Sequence, residues 1–207
     1  SGWNYSGSIM NSYTTGNVRG NNAVGGLVGH NQVSTISNAY STANVTTTFD
    51  EAGGLVGKTT AGTISNSYAT GDVSGRYYVG GLIAYNNGTL NNVYATGNVS
   101  GSIRVGGLVG YNNNGITISN AYATGSVNSS VSTVGGLVAE NNGTINTSFA
   151  TGSVNSSGAN VGGLVGYNNG GTVSSSYFDT TVNPSRSGCG TNTGTCSVTG
   201  KTTAQMM

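Results

Sequence analysis

Charge is the scarcest ingredient of this chain. Only 5% of its 207 residues are charged, against roughly a quarter in an average domain. Six Lys and Arg nearly cancel five Asp and Glu, leaving a net charge of +1. Without a field of either sign, the sequence excludes nucleic acid and an acidic membrane surface as partners. Apolar runs stop after a few residues, which excludes insertion through a long apolar helix. Neither a signal peptide nor an initiator Met stands at Ser1, so the chain is expected to be a segment joined to flanking domains of a larger chain.

Catalytic groups are equally sparse. His30 is the only histidine, and the acids are Asp50, Glu51, Asp72, Glu140 and Asp179. One His without clustered carboxylates makes a poor metal site. A Ser nucleophile would have only His30 as its base, and His30 sits at a variable position expected to be exposed. Asp50 and Glu51 are adjacent in a variable loop, unlike the separated acid and base of a polysaccharide-cleaving groove. The sequence therefore predicts no enzyme, no cofactor and no metal.

What is plentiful is glycine, at 37 residues, together with Ser, Thr and Asn in a strict rhythm. Segments like Val79-Gly80-Gly81-Leu82-Ile83-Ala84-Tyr85-Asn86-Asn87-Gly88 place their leucines at 27, 55, 82, 108, 137 and 164, with spacings of 28, 27, 26, 29 and 27 residues. A second segment, best seen as Gly62 to Val73, repeats an aromatic at Tyr13, Tyr40, Tyr68, Tyr94, Tyr122, Phe149 and Tyr177. A period in this range decides the architecture, because one such unit cannot bury its apolar face alone and must stack on its neighbours. Helical periodicity is absent.

Within a unit, Ile64, Asn66 and Tyr68 share a parity and are expected on one face of a strand, with Ser65, Ser67 and Ala69 opposite. The parity changes between Tyr68 and Val73, so Thr70-Gly71 is read as a bend. Asn86-Asn87-Gly88 is read as a turn. The Gly pairs, such as Gly80-Gly81, are assigned to bending or close backbone packing, since no phosphate-loop Lys or helix start follows them. The predicted fold is an all-β, parallel β-helix (β-solenoid) of about seven coils with a period of about 27 residues. Crossover chirality makes it right-handed, and its core is built from Ile, Tyr, Leu and Val columns.

The residues carrying this rhythm resemble the GLUG-motif repeats, named for Gly-Leu-any-Gly. The motif reads here as Gly26-Leu27-Val28-Gly29, Gly54-Leu55-Val56-Gly57 and Gly163-Leu164-Val165-Gly166. Ser67-Tyr68-Ala69-Thr70-Gly71 is similar to the linked family pattern, and the resemblance spans about residues 1 to 182. Ala84 and Ala139 replace the last Gly in two copies. The tail from Gly200 to Met206 also looks like a segment that follows such arrays. The resemblance implies a non-catalytic part of a large bacterial surface protein, such as a filamentous-haemagglutinin-like adhesin exported by two-partner secretion, or a surface-bound immunoglobulin peptidase. It transfers no catalytic residues. Localisation is expected to be secreted or on the bacterial cell surface, at the outer membrane exterior.

The remaining asymmetry lies in the variable connections. Arg19, Phe49, Asp50, Glu51, Arg76, Tyr77, Tyr78 and Arg104 fall in the first four of them. All are expected along one edge, where Arg and Tyr would contact a host or matrix glycan, or a cell-surface protein. A carbohydrate-active β-helix enzyme is the alternative on fold analogy. An ice-binding solenoid is another, because Thr15, Thr42, Thr70, Thr96, Thr124 and Thr151 form a column. Sequons at Asn4, Asn44, Asn87, Asn98, Asn128, Asn142, Asn146 and Asn155 are candidate modification sites. Two regions are predicted: the solenoid at 1–182 and a C-terminal segment at 183–207, starting the link to a following region. In that segment Cys189 and Cys196 are read as a disulfide suited to an oxidising, exported setting and as a cap on the last coil. Trp3 and Tyr5 are expected to cover part of the first.

Overall fold

Repetition is what lets such short strands persist, because each is hydrogen-bonded on both sides by its own copies. The protein, seen as a computed structural model that describes residues 2–207, is an all-β parallel solenoid of about seven turns with a period of about 27 residues. One coil runs through Gly62–Ala69 in sheet I, Val73–Ser74 in sheet II, Val79–Gly80 in sheet III and Ile83–Asn86 in sheet IV. Every pairing between neighbouring coils is parallel and places like on like. Ile64 lies between Ile36 and Leu90, Val73 between Val45 and Val99, and Gly80 between Gly53 and Gly106.

The interior is two cores. Between sheets I and IV run the columns of Ile64, Leu82 and Ile83 and their equivalents. Between sheets II and III run Val73 and Val79 with theirs. The second Gly of each pair lies at the waist between the two. A Cβ on Gly81 would meet the Gly107 carbonyl oxygen at 2.1 Å and the Ala95 methyl at 2.9 Å. Close backbone approach is thus the physical reason for the Gly pairs.

The expected tyrosine core column is on the outside. Asn66 has φ of 48°, and Asn11, Asn38, Asn92, Asn120, Thr147 and Ser175 have the same left-handed backbone at the equivalent place. One such residue adds a half-step to the strand, so alternation resets. Ile64 points in, Asn66 out, Ser67 in, Tyr68 out and Ala69 in. The predicted face Ile64, Asn66, Tyr68 is therefore wrong, and the parity change lies at Asn66 rather than at Thr70-Gly71. Ser67 is accommodated inside because its hydroxyl donates to the Ser65 carbonyl at 2.7 Å and accepts the Ala39 N–H at 3.1 Å. Outside, the rings from Tyr13 to Phe149 stack face to face, with centroids 4.7 to 5.1 Å apart and planes within 7°.

The Asn turn also has an inner half. Asn86 is fully buried and belongs to a ladder with Asn31, Thr59, Asn112, Asn141 and Asn168. Asn86 Nδ2 donates to Asn112 Oδ1 at 2.9 Å, Asn112 to Asn141 at 2.9 Å and Asn141 to Asn168 at 2.8 Å.

Stacking continues past residue 182. Cys189–Asn192 pairs with Val165–Asn168 in sheet IV, and Thr195–Lys201 pairs with Thr172–Asp179 in sheet I. These residues form a partial coil that omits sheets II and III. Cys189 sits over Val165 and Cys196 over Val173, and the two are joined by a disulfide across the end of the larger core. Closing so short a loop is worth about 2.5 kcal/mol by chain entropy. Reduction is expected to expose 186–201 to protease and fast hydrogen exchange while the ladder from Thr59 to Asn141 stays protected. Unchanged exchange in the last coil would show that the bridge does not hold it.

Asp179 anchors the same end. Burial alone would raise its carboxyl pKa, but a hydrogen bond from Thr203 Oγ1 at 2.6 Å and backbone N–H donors from Thr181 and Val182 outweigh it and hold the value below 3.8. A depressed carboxylate contributes stability above its unfolded value that is lost as pH falls through the folded one. Exchange of residues 195–203 is therefore expected to accelerate below about pH 4 in wild type and to be fast at neutral pH in Asp179→Asn.

Trp3 and Tyr5 are 73% and 70% exposed. They do not cover the end, because they alternate with Asn4, which takes the inward position and donates to Asn31 Oδ1 at 2.9 Å.

Candidate functional site

The sequence expects one edge, and the structure divides those residues among several places. Arg104 ion-pairs with the buried carboxylate of Glu140 and lies 5.3 Å from the Tyr78 ring centre. Tyr78 meets Tyr85 and Tyr111 edge-on at 5.8 and 5.9 Å, and those two stack at 4.9 Å. Burial, then the nearness of Tyr85 and Glu140, raises the Tyr111 phenol above its ordinary pKa. Glu51 pairs with Lys58 at 3.6 Å, and Lys58 Nζ sits 4.9 Å from the Tyr85 ring centre. Arg76 lies over Tyr77 at 4.9 Å. Asp50 is exposed, with its backbone carbonyl accepting from Thr47. Arg19 is elsewhere, on the outer face of sheet II.

Tyr78 and Arg104 are thus brought together, but with partners the sequence reading passed over. Lys58, Tyr85, Tyr111 and Glu140 share one outward column of sheet IV with His30 and Tyr167. Glu140 is 36 residues from Arg104 in the chain, so no local pattern pairs them. The signal available was that two variable columns lie side by side in a solenoid, so charge and aromatics in both are neighbours. His30 is half-buried beneath Trp3, ring centres 4.5 Å apart, and burial followed by Lys58 lowers its pKa. The cluster's ring faces are spent on one another and its two cations, Arg104 and Lys58, are paired, which leaves Arg76 and Tyr77, stacked on each other, as the pair outside it. Among the described residues, no three His, Cys, Asp or Glu converge as metal ligands.

A different surface is open. The outer face of sheet II carries a shallow groove of about 540 Å³, lined by Asn17, Arg19, Asn44, Asp72, Asn98 and Asn128 with Thr46, Ser74 and Ser100. Asn17, Asn44, Asp72 and Asn98 form one exposed column. Their side-chain oxygens are committed to the next coil. Asp72 N–H donates to Asn44 Oδ1 at 2.9 Å, Asn98 N–H to Asp72 Oδ1 at 2.8 Å and Ser126 N–H to Asn98 Oδ1 at 3.1 Å. These bonds satisfy backbone donors where the strand bends around Gly71.

The GLUG motif model matches residues 20–46, 51–74, 75–100 and 101–128, about half of the chain. The chain belongs to the GLUG-repeat family. Neither the curated proteins nor the solved structures give a match. In GLUG terms, the motif's first Gly occupies the waist, its Leu the larger core, and its last Gly the approach to sheet III, where a Cβ on Gly57 would meet the Val24 nitrogen at 2.7 Å. The coils beyond residue 128 keep the same registers, with Val134 on Val105 and Val161 on Val134.

Proposed function

We propose that this GLUG array is a non-catalytic scaffold segment of a larger exported bacterial surface protein, an adhesin, serving as a stalk that displays contact surfaces on its outer columns. The observation that carries the reading is the uninterrupted register from Ile9 to Val173. Such a one-dimensional stack gives length and stiffness with contacts only between neighbours. The disulfide supports an oxidising location. Host or matrix glycan, or a cell-surface protein, is the proposed partner class, met first through Arg76 and Tyr77, with flanking domains of the same chain at either end.

Protease added to intact producing cells tests the location. The parent chain is expected to be cleaved without permeabilisation, and its Cys189–Cys196 peptide recovered oxidised. Cleavage only after lysis would sink the surface reading. Unchanged cell adhesion in Arg76→Ala with Tyr77→Ala would remove that loop from the contact.

A further inference from the structure

Asn-Asn-Gly occurs four times, ending at Gly88, Gly115, Gly143 and Gly170. Asparagine is a thermolabile residue, and most so before glycine, which has no side chain to keep its backbone nitrogen away from the asparagine amide carbon. Identical local sequence gives the four copies no preference, but the fold separates them. Gly88 N–H donates to Asn86 Oδ1 at 3.2 Å and Gly143 N–H to Asn141 Oδ1 at 3.3 Å, and both glycines are buried. The buried Asn ladder thus holds the nitrogen that would attack. Gly170 N–H donates to Thr193 Oγ1 at 3.0 Å, in the loop closed by the disulfide. The turn after Asn112 is longer, with five residues before Ile118 where Asn86 has three before Leu90. There the ladder amide of Asn112 reaches the Ile116 carbonyl at 3.4 Å instead. Among the described residues, the Gly115 N–H has no acceptor and the Asn114 side chain no partner. Both residues are exposed, and a Cβ on Gly115 would meet nothing within 4 Å.

We propose that Asn114 is a site of spontaneous conversion to aspartate and isoaspartate, and that the stack confines this change to one of the four copies. The Gly115 nitrogen attacks Asn114 Cγ and loses its proton, the Cγ–Nδ2 bond breaks, and ammonia leaves a five-membered imide. Water then opens the ring at either imide carbonyl, which places the carboxylate on the side chain or, in isoaspartate, the extra methylene in the main chain. The sum is one amide and one water giving one carboxylate and one ammonium ion, with no further reactant. Gly115 has φ of 74°, a backbone that suits glycine. Because its loop projects from the stack, neither product meets packed atoms, and the coil keeps its register. Acids rise from five to six against six Lys and Arg, which takes the formal net charge from +1 to 0. In a chain this poor in charge, each molecule carries its age as a change of surface charge.

The whole oxidised chain, aged in warm, mildly alkaline buffer made with heavy-oxygen water and mapped by peptide mass spectrometry, tests the proposal. Aspartate and isoaspartate are expected at Asn114 at least about tenfold faster than at Asn87 or Asn142, whose glycine nitrogens are released only when the stack opens. The aged protein is expected to gain one acidic band on a native gel, level with Asn114→Asp. In denaturant, all four copies are expected to convert at similar rates. Thr193→Val removes the acceptor of the Gly170 N–H and leaves the disulfide in place, so it is expected to speed conversion at Asn169 without changing Asn114. Conversion at Asn87 or Asn142 as fast as at Asn114 in the folded chain would overturn the proposal. So would an unchanged Asn114 over the time in which the denatured chain converts. An unchanged rate at Asn169 in Thr193→Val would overturn the hydrogen-bonded glycine nitrogen as the source of protection.

Discussion

Asn112→Ala is expected to cost about 3 kcal/mol of local stability, the larger part from a polar group left stranded inside the stack. Asn112 is fully buried, accepts from Asn86 Nδ2 and donates to Asn141 Oδ1, both at 2.9 Å. Alanine leaves Asn86 Nδ2 without its acceptor and deprives Asn141 of one donor, while adding a small cavity. The same column contains Thr59, whose hydroxyl donates to the Ala61 carbonyl at 3.1 Å and accepts from Asn31 at 3.4 Å. Asn112→Thr is accordingly expected to cost about half as much as alanine. Exposed Asn114 is the control, and its alanine variant is expected within about 0.5 kcal/mol of wild type. Stacked repeats need not unfold as one unit, so amide exchange of Tyr85 to Ile116 is the measurement. Equal exchange in the Asn112→Ala and Asn114→Ala chains would mean that the ladder contributes nothing beyond packing.

That ladder marks where sequence and structure part company. The period, the sheet-forming segments and the Leu and Val columns are visible because they are enforced by stacking, and stacking leaves identical residues one period apart. Asn86 is misplaced by the same reading because Asn-Asn-Gly already has a sufficient local explanation as a turn, and local chemistry does not say which of two amides is turned inward. Only the half-exposed Asn87 behaves as the turn reading expects. Tyr68 is misplaced because one left-handed residue reverses every later side chain, and Asn66 looks in sequence like any polar strand residue. Its recurrence as Asn in five coils, at 11, 38, 66, 92 and 120, was the available hint, since Asn adopts positive φ more readily than most residues.

The candidate contact residues were legible as variable positions but not as neighbours. Arg104 and Glu140 meet because their coils are adjacent along the axis, a relation carried by register rather than by distance in the chain. Similarly, Asn98 appears in sequence as a sequon. Its fixed amide orientation emerges only from the Ser126 N–H that holds its oxygen.

The glycine waist offers the second large effect. Gly81→Ala places a Cβ at 2.1 Å from the Gly107 carbonyl oxygen and 2.9 Å from the Ala95 methyl. The first contact is with the backbone of the next coil, which cannot move without breaking its own pairing, so a cost of about 3 kcal/mol or more is expected, at the upper end for overpacked sites. Ala95→Gly in the same chain is expected not to rescue it, since it removes only the second contact. Gly110→Ala is the contrast. A rigid Cβ there would also crowd backbone, at 2.7 Å from the Ala84 carbonyl oxygen and 2.9 Å from the Val79 nitrogen. Yet Ala84 and Ala139 occupy that column fully buried, which demonstrates that its neighbours give way, and a cost near 1 kcal/mol or less is expected. Thermal unfolding of the two alanine variants decides the matter. If Gly81→Ala proves as mild as Gly110→Ala, the two cores are not held apart by backbone contact at the waist, and the second glycine of each pair must be explained by the unfolded chain instead.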